Sequence, residues 1–316
     1  MDIKTLLPTA QKNVLLSQYS TFRIGGPAKY FFEAKTEEDI LKAIEATQKI
    51  GLPFFILAGG SNVLFSDNGF DGLIIKIQLN KEEIKVQGLK IIIQAGKNLS
   101  EIVSLSSKLG LSGIEWGAGI FGTIGGAIRG NAGAFGHSMA EIVKQVRVLV
   151  LPQLEIKNFS TDDCQFSYRD SIFKHNKNLI ILSAEIHLKN GNLVEVKKKM
   201  DQYIQYRKER QPLEFASAGS IFKNVALAKI KKETLKAYPE LEKFSEIGII
   251  PSAFLIEKCG LKGKQIGQAQ ISEKHSNFII NLGKANAQNV KDLISLAKEK
   301  VFDKFGIQLE EEIIVL

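Results

Sequence analysis

An α+β fold in more than one domain is what this sequence predicts, and three observations predict it. Residues 30–77 alternate strand and helix, so the chain opens with a β-α-β unit. The β-like runs 146–151, 156–160 and 179–188 then suggest antiparallel pairing rather than a repeated parallel unit. Finally, Pro212 ends a long helix and marks a domain boundary, with a smaller α/β portion beyond it. A chain of 316 residues has room for two or three domains.

Each element has a local reason. Residues 30–34 read as a strand; Thr36 then caps a helix with Asp39 at the fourth position of a capping box, Ile40, Ile44 and Ile50 mark its apolar side, and Gly51 stops it. The apolar strand 53–57 runs straight into Ala58-Gly59-Gly60-Ser61-Asn62. A strand over 91–95 and a helix over 100–109, closed by Gly110, come next. The helix 194–209 is basic and amphipathic, with Met200, Tyr203 and Ile204 at helical spacing, and the basic run of Lys197, Lys198 and Lys199 with Arg207, Lys208 and Arg210 reads as a solvated face. Beyond Pro212 the pattern predicts helices over 226–238 and 251–258, strands over 268–271 and 278–281, and a last helix over 287–305. In that helix Val290, Leu293, Ile294, Ala297, Val301 and Phe305 recur at steps of three and four.

Composition removes several classes of function. With 44% hydrophobic and 24% charged residues the chain is neither disordered nor a low-complexity repeat. Lys and Arg outnumber Asp and Glu by 42 to 34, an excess that could attract nucleic acid, an anionic membrane surface or a phosphorylated small molecule. A nucleic-acid binder is disfavoured, because no aromatic-rich basic patch, helix-turn-helix or zinc signature is present. Cys164 and Cys259 form no CxxC, and with 4 His no metal site is indicated. The N-terminal residues lack a long apolar run and no stretch of about 18 uncharged apolar residues occurs, so membrane insertion is not expected and a cytoplasmic location is.

Two glycine segments stand out. In Gly59-Gly60-Ser61-Asn62, after an apolar strand, several backbone N–H groups can turn toward one anion, although a tight turn explains the residues equally well. Residues 113–136 hold 9 glycines among Ile114, Trp116, Ile120, Phe121, Ile124, Ile128 and Phe135, too apolar for a flexible spacer. So many glycines in an ordered segment point to close backbone approach to a large ligand. The GxxxxGK[ST] phosphate loop is absent, which argues against a nucleotide triphosphatase.

Several motifs together carry a resemblance. Thr21-Phe22-Arg23-Ile24-Gly25-Gly26-Pro27-Ala28, residues 58–64, 119–136, Tyr168-Arg169-Asp170-Ser171-Ile172-Phe173, Ala218-Gly219-Ser220-Ile221-Phe222-Lys223-Asn224, Leu261-Lys262-Gly263 and Leu309-Glu310-Glu311-Glu312-Ile313 stand in one order. In that order they resemble the UDP-N-acetylenolpyruvoylglucosamine reductase family from about residue 20 to the C-terminus. The resemblance implies a two-part FAD-binding fold of the vanillyl-alcohol-oxidase type with a smaller C-terminal α/β substrate domain. It implies reduction of an enolpyruvyl group to lactyl in peptidoglycan precursor synthesis, with NADPH as co-substrate. Departures are Phe121 where Pro is usual, Phe135 where Tyr is common and Val225 where Pro usually follows Asn224. No long tyrosine-bearing insertion lies near 179–188, so the chain resembles the short subtype.

The resemblance also assigns roles. Arg169 matches the catalytic arginine, whose fork can grip a carboxylate, while a salt bridge to Asp170 is its other possible use. Ser220 matches the proton donor, with Ser217 a nearby rival outside the matched position and a simple turn serine the plainer reading. Glu312 matches the third catalytic residue. If 309–316 is a strand, its two faces are equally mixed and periodicity does not choose among Glu310, Glu311 and Glu312. The FAD-contacting positions implied are Leu57, Ala58, Gly59, Gly60, Ser61, Asn62, Thr123, Gly125, Gly126, Asn131, Ala132 and Gly133. Tyr168, Arg210, Asn224 and His275 match substrate contacts, and His275 could equally cap a strand end. No His or Cys occupies a linkage position, so the FAD is expected to be non-covalent. The expected division is 1–80 and 81–210 as the two flavin subdomains and 211–316 as the substrate domain, in a monomer that takes a UDP-sugar.

Overall fold

The computed structural model describes residues 3–79 and 84–316, and the expected boundary between residues 80 and 81 lies outside the described residues. The chain forms two compact units. One comprises Met1–Val14, Ala28–Gly59 and Phe70–Arg207; the other comprises Leu15–Pro27, Gly60–Gly69 and Lys208–Leu316.

The first unit contains the expected β-α-β. Pro27–Ala34, Phe70–Ile77 and Phe54–Leu57 lie parallel, with Phe31 opposite Ile74 and Ile74 opposite Phe55. The connecting helix, Glu37–Ile50, carries the full capping box between Thr36 and Asp39 and ends on Gly51 with φ +66°. Its Ile40, Ala43 and Ile44 are buried in one cluster with Phe32, Leu73 and Ile75. A second sheet has the strand order Glu155–Ser160, Val143–Val150, Leu179–His187, Lys90–Gln94, Lys85–Gln87. Its pairs are antiparallel, with Val146 between Phe159 and Ala184, as the three β-like runs suggested. The Leu99–Lys108 helix packs Leu99, Ile102 and Val103 into a core that includes Trp116, Ile124 and Ile128. The Leu193–Arg210 helix exposes Lys197, Lys198, Lys199, Lys208 and Arg210 as expected of a solvated face, but the expectation is corrected at Arg207, which is buried together with Val196.

In the second unit an antiparallel sheet runs Ala216–Ser220, Phe278–Asn281, Ala269–Ile271, Gln265–Ile266. The Ala287–Phe305 helix buries all six residues of the expected stripe. Two expectations are corrected. The helix over 226–238 is instead a two-residue strand, Val225–Ala226, a 3-10 turn, Leu227–Lys229, and a short helix, Lys232–Ala237. Val225 and Ala226 pair with Ile250 and Ile249, which takes the start of the range into a strand, and Ile230 and Lys231 are extended between the two helical pieces. The 309–316 strand is reduced to Ile314–Val315, parallel to Val63–Leu64. The tail changes partner midway: Glu312 N–H bonds Ile221 O at 2.8 Å, and Ile314 N–H then bonds Asn62 O at 3.1 Å. Leu309 and Ile313 are buried on the face that period-two alternation gives them, with Glu311 half-buried between them.

No described helix is long and apolar enough to cross a membrane.

Candidate active site

In the first unit the two glycine segments converge. A Cβ built on Gly59 would lie 2.8 Å from the Cα of Gly122 and 3.4 Å from Thr123 N, so the turn after Leu57 is pressed against the start of the Ile124–Arg129 helix. That helix is tied down by its own N–H groups: Ile124 bonds Lys97 O and Gly125 bonds Ala95 O, each at 2.9 Å. Gly126 N–H is capped by Thr123 Oγ1 at 3.3 Å. Gly125 is glycine for packing, because a Cβ there would meet that of Ala95 at 2.9 Å. Gly126 is different. It is exposed, its φ is not left-handed, and an added Cβ would make only ordinary contacts, 3.6 Å to Thr123 Oγ1 and 3.8 Å to Ala58 Cβ. Neither backbone nor neighbours demand glycine there, so the bare surface between Ala58 and Gly126 fits a flat ligand that lies against it.

The rest of the glycine-rich segment holds Arg169. Ser167 and Asp170 exchange both backbone hydrogen bonds at 3.1 Å, closing a tight turn with Tyr168 and Arg169 at its tip and Arg169 at φ +53°. A non-glycine residue there costs about 1–2 kcal/mol, and three side-chain bonds hold the turn. Asn131 Nδ2 donates to Ser167 O at 2.7 Å, Ser171 Oγ donates to Arg129 O at 2.7 Å, and Arg169 Nη2 donates to Gly133 O at 2.6 Å. Asn131, buried and itself at φ +42°, also accepts from Ala140 N–H at 3.0 Å, so its amide serves the scaffold on both sides. Ala132 links it to Gly133, and its N–H bonds Ala127 O at 2.8 Å. Asp170 takes His175 Nε2 at 2.7 Å and the Ser171 N–H at 3.0 Å. Burial pushes the Asp170 carboxyl up, but those bonds and Lys174 outweigh it and hold it below the ordinary aspartate range.

Sequence reasoning missed Arg207. It is buried, with Nε on Ala118 O at 2.8 Å, Nη2 on Trp116 O at 3.0 Å and its guanidinium 5.4 Å from the centre of the Phe135 ring. Phe135 in turn stacks on Tyr203 at 4.1 Å. Burial first, and then the charge of Arg169, pushes the Arg207 pKa down. The available signal was spacing: 207 continues the Met200, Tyr203, Ile204 stripe, and an arginine inside an apolar stripe has a partner under it.

In the second unit Ser220 ends the Ala216–Ser220 strand at an irregular register, where Gly219 has φ +76°. Asn277, buried, fixes the backbone two residues beyond Ser220 by accepting from Phe222 N–H at 2.9 Å and donating to Phe222 O at 2.8 Å. The tail lies alongside. Lys223 N–H bonds Glu310 O at 2.9 Å and Glu312 N–H bonds Ile221 O, the carbonyl next to Ser220 in the chain. Asn62 Nδ2 donates to Glu312 O at 3.1 Å, so Glu312 is held by its backbone on both sides. Glu310 pairs with Lys223, and Glu311 pairs with Lys298 at 2.6 Å. Glu312 is thus fastened through its N–H and its carbonyl, while Glu310 and Glu311 each carry an ion pair. Gly60, at φ +67°, is required because a Cβ there would overlap Tyr19 O, and Ser61 comes after it in the half-buried turn. Asn224 Oδ1 caps the Ser252–Lys258 helix through Ser252 N–H at 3.2 Å. His275 Nδ1 accepts from Asn277 N–H at 3.3 Å, the capping use, and burial pushes its pKa down. Arg210 is exposed at the last turn of its helix, and Tyr168 is exposed at the tip of its turn.

Residues 28–159 match an FAD-binding domain model, and residues 211–316 match the C-terminal domain model of UDP-N-acetylenolpyruvoylglucosamine reductase. The chain is 39% identical over 301 residues to the enzyme of that name from Caldanaerobacter subterraneus subsp. tengcongensis, covering 95% of this chain and 91% of that one. It is 36% identical over 305 residues to the namesake from Clostridioides difficile, again at 95% and 91% coverage. The crystal structure of the Thermus caldophilus reductase superposes with a TM-score of 0.75 at 30% identity, covering 96% of this chain and 97% of that one. On these likenesses over nearly its whole length, the chain belongs to the UDP-N-acetylenolpyruvoylglucosamine reductase family.

Proposed function

We propose that this chain is the flavoenzyme that reduces the enolpyruvyl group of UDP-N-acetylenolpyruvoylglucosamine to the lactyl group of UDP-N-acetylmuramate, with NADPH as reductant and non-covalent FAD. The observation that carries the reading is the Glu312 segment. Its backbone is fastened to Ile221 and to Asn62, beside the strand that ends in Ser220. When bound, FAD would supply the redox chemistry, a hydride equivalent from NADPH for the methylene carbon of the substrate. The chain's own residues do the rest. The positions this reading assigns to FAD are Leu57, Ala58, Gly59, Gly60, Ser61, Asn62, Thr123, Gly125, Gly126, Asn131, Ala132 and Gly133. The Arg169 fork grips the enolpyruvyl carboxylate and stabilises the negative charge that hydride addition places on the adjoining carbon. Ser220 Oγ then gives that carbon its proton, which completes addition of two hydrogens across the double bond. Glu312 polarises the enolpyruvyl group or resupplies the proton. Tyr168, Arg210, Asn224 and His275 contact the substrate, Arg210 toward its diphosphate.

In this reading residues 1–80 and 81–210 serve the flavin and 211–316 the nucleotide sugar, in a cytoplasmic monomer of the short subtype. The test is spectroscopic. Purified protein should be yellow, should bleach with NADPH, and should recover its colour when the enolpyruvyl sugar nucleotide is added under anaerobic conditions. A colourless protein that does not take up FAD, or a reduced flavin that this substrate leaves bleached, would overturn it.

A further inference from the structure

We propose that Lys76 is a positioning residue for the FAD cradle, presenting the Ala58–Gly59 peptide to the cofactor and adding a positive charge beneath it. The inference rests on the proposed function, in which the turn after Leu57 holds the flavin cofactor.

Lys76 lies on the Phe70–Ile77 strand, opposite Glu33 on one neighbour and Leu57 on the other. Leu57 is the last residue before the turn, so a long side chain at 76 reaches it directly. Lys76 Nζ donates to the Ala58 carbonyl. In a trans peptide the carbonyl and the following N–H point in opposite directions. Capture of Ala58 O by the ammonium therefore turns the Gly59 N–H away from Lys76 and fixes the plane of a peptide whose glycine would otherwise leave it free.

The position is costly for an ordinary structural lysine. Burial pushes the Lys76 pKa down, and the charge of Glu33 offsets this only in part. Glu33 and Lys76 are paired in register, yet the hydrogen bond the ammonium makes goes to the turn. A half-buried cation directed at a neutral carbonyl gains little in the protein alone and gains more beside an anion, which the cofactor's diphosphate supplies. Stability and cofactor affinity are thereby expected to respond to its removal in opposite directions, which a purely structural lysine does not do.

The experiment titrates FAD into wild-type, Lys76→Met, Lys76→Gln and Lys76→Arg apoproteins, following quenching of flavin fluorescence, and melts each apoprotein without FAD. Lys76→Met keeps the shape and should bind FAD about tenfold or more weakly while melting at or above the wild-type temperature, because a desolvated charge has been removed. Lys76→Arg should recover most of the affinity. Lys76→Gln, which can still reach a carbonyl but carries no charge, should also be weakened, and it gives the answer if the Met variant does not fold. Wild-type affinity in both Lys76→Met and Lys76→Gln overturns the inference. So does a loss of affinity that tracks a lower melting temperature and is not recovered by Arg. A wild-type apoprotein that binds no FAD would instead sink the cradle itself, so the two failures are distinguishable.

Discussion

Arg169 in the first unit and Glu312 in the second are held by contrasting means. Arg169 sits at φ +53° on a tight turn that side chains stitch down, Asn131 to Ser167 and Ser171 to Arg129. Glu312 sits on an extended tail whose N–H bonds the Ile221 carbonyl and whose own carbonyl takes Asn62. A turn held by side chains pays for its irregular backbone with bonds that one substitution can delete. A tail held through its backbone keeps those two bonds when the Glu312 side chain changes, whereas substitutions around Arg169 delete bonds of the turn itself.

The largest effect is expected at Ser220. Ser220→Ala should leave flavin reduction by NADPH nearly unchanged and slow reoxidation by the enolpyruvyl substrate by about 10²–10⁴-fold, the usual contribution of a positioned proton donor. Stopped-flow traces in which both half-reactions slow equally would show a structural role. Next, Glu312→Gln should depress the substrate half-reaction, whereas Glu310→Gln and Glu311→Gln, which only release Lys223 and Lys298, should stay near wild type. A collapse confined to either neighbour would move the catalytic carboxylate.

Two adjacent glycines sharpen the comparison inside the first unit. Gly126→Val should give a folded apoprotein that no longer retains FAD, because its Cβ meets nothing closer than 3.6 Å. Gly125→Val should lower the melting temperature of the apoprotein itself, because its Cβ lies 2.9 Å from that of Ala95. Full flavin content in purified Gly126→Val defeats the cradle. A smaller effect is expected from Asn131→Gly, which keeps the left-handed backbone accessible but removes both bonds of the clamp. It should cost about 1–3 kcal/mol in denaturant unfolding and raise KM for the substrate more than it lowers the rate of flavin reduction.

The smallest effect is electrostatic. Asp170 is held below its ordinary pKa in the folded chain, so its contribution is fully present above the unfolded value, about 3.9, and is lost as pH falls through the lower folded value. Melting curves should therefore show Asp170→Asn less stable than wild type at neutral pH and converging with it in acid. Parallel curves across the range would mean that Asp170 acts through shape alone.

The sequence by itself determined what repeats along the chain. The Thr36 and Asp39 box, the antiparallel runs and the Val290 to Phe305 stripe are each set by residues within a turn or two of one another, where periodicity and capping operate. The motif order likewise carried the family, because the motifs keep their order wherever their residues end up in space. Tertiary structure alone decided the rest. Nothing local distinguishes Glu312 from Glu310 and Glu311; what distinguishes them is Lys223, Lys298, Ile221 and Asn62, up to 250 positions away. Arg207 looked like one more solvated cation until Ala118 and Trp116 were found beneath it. The helix expected over 226–238 starts late because Ile249 and Ile250 offer Val225 and Ala226 a strand partner. The physical reason is the same in each case: a periodic pattern reports which face meets the core, while a side chain's partner depends on which distant backbone the fold brings against it.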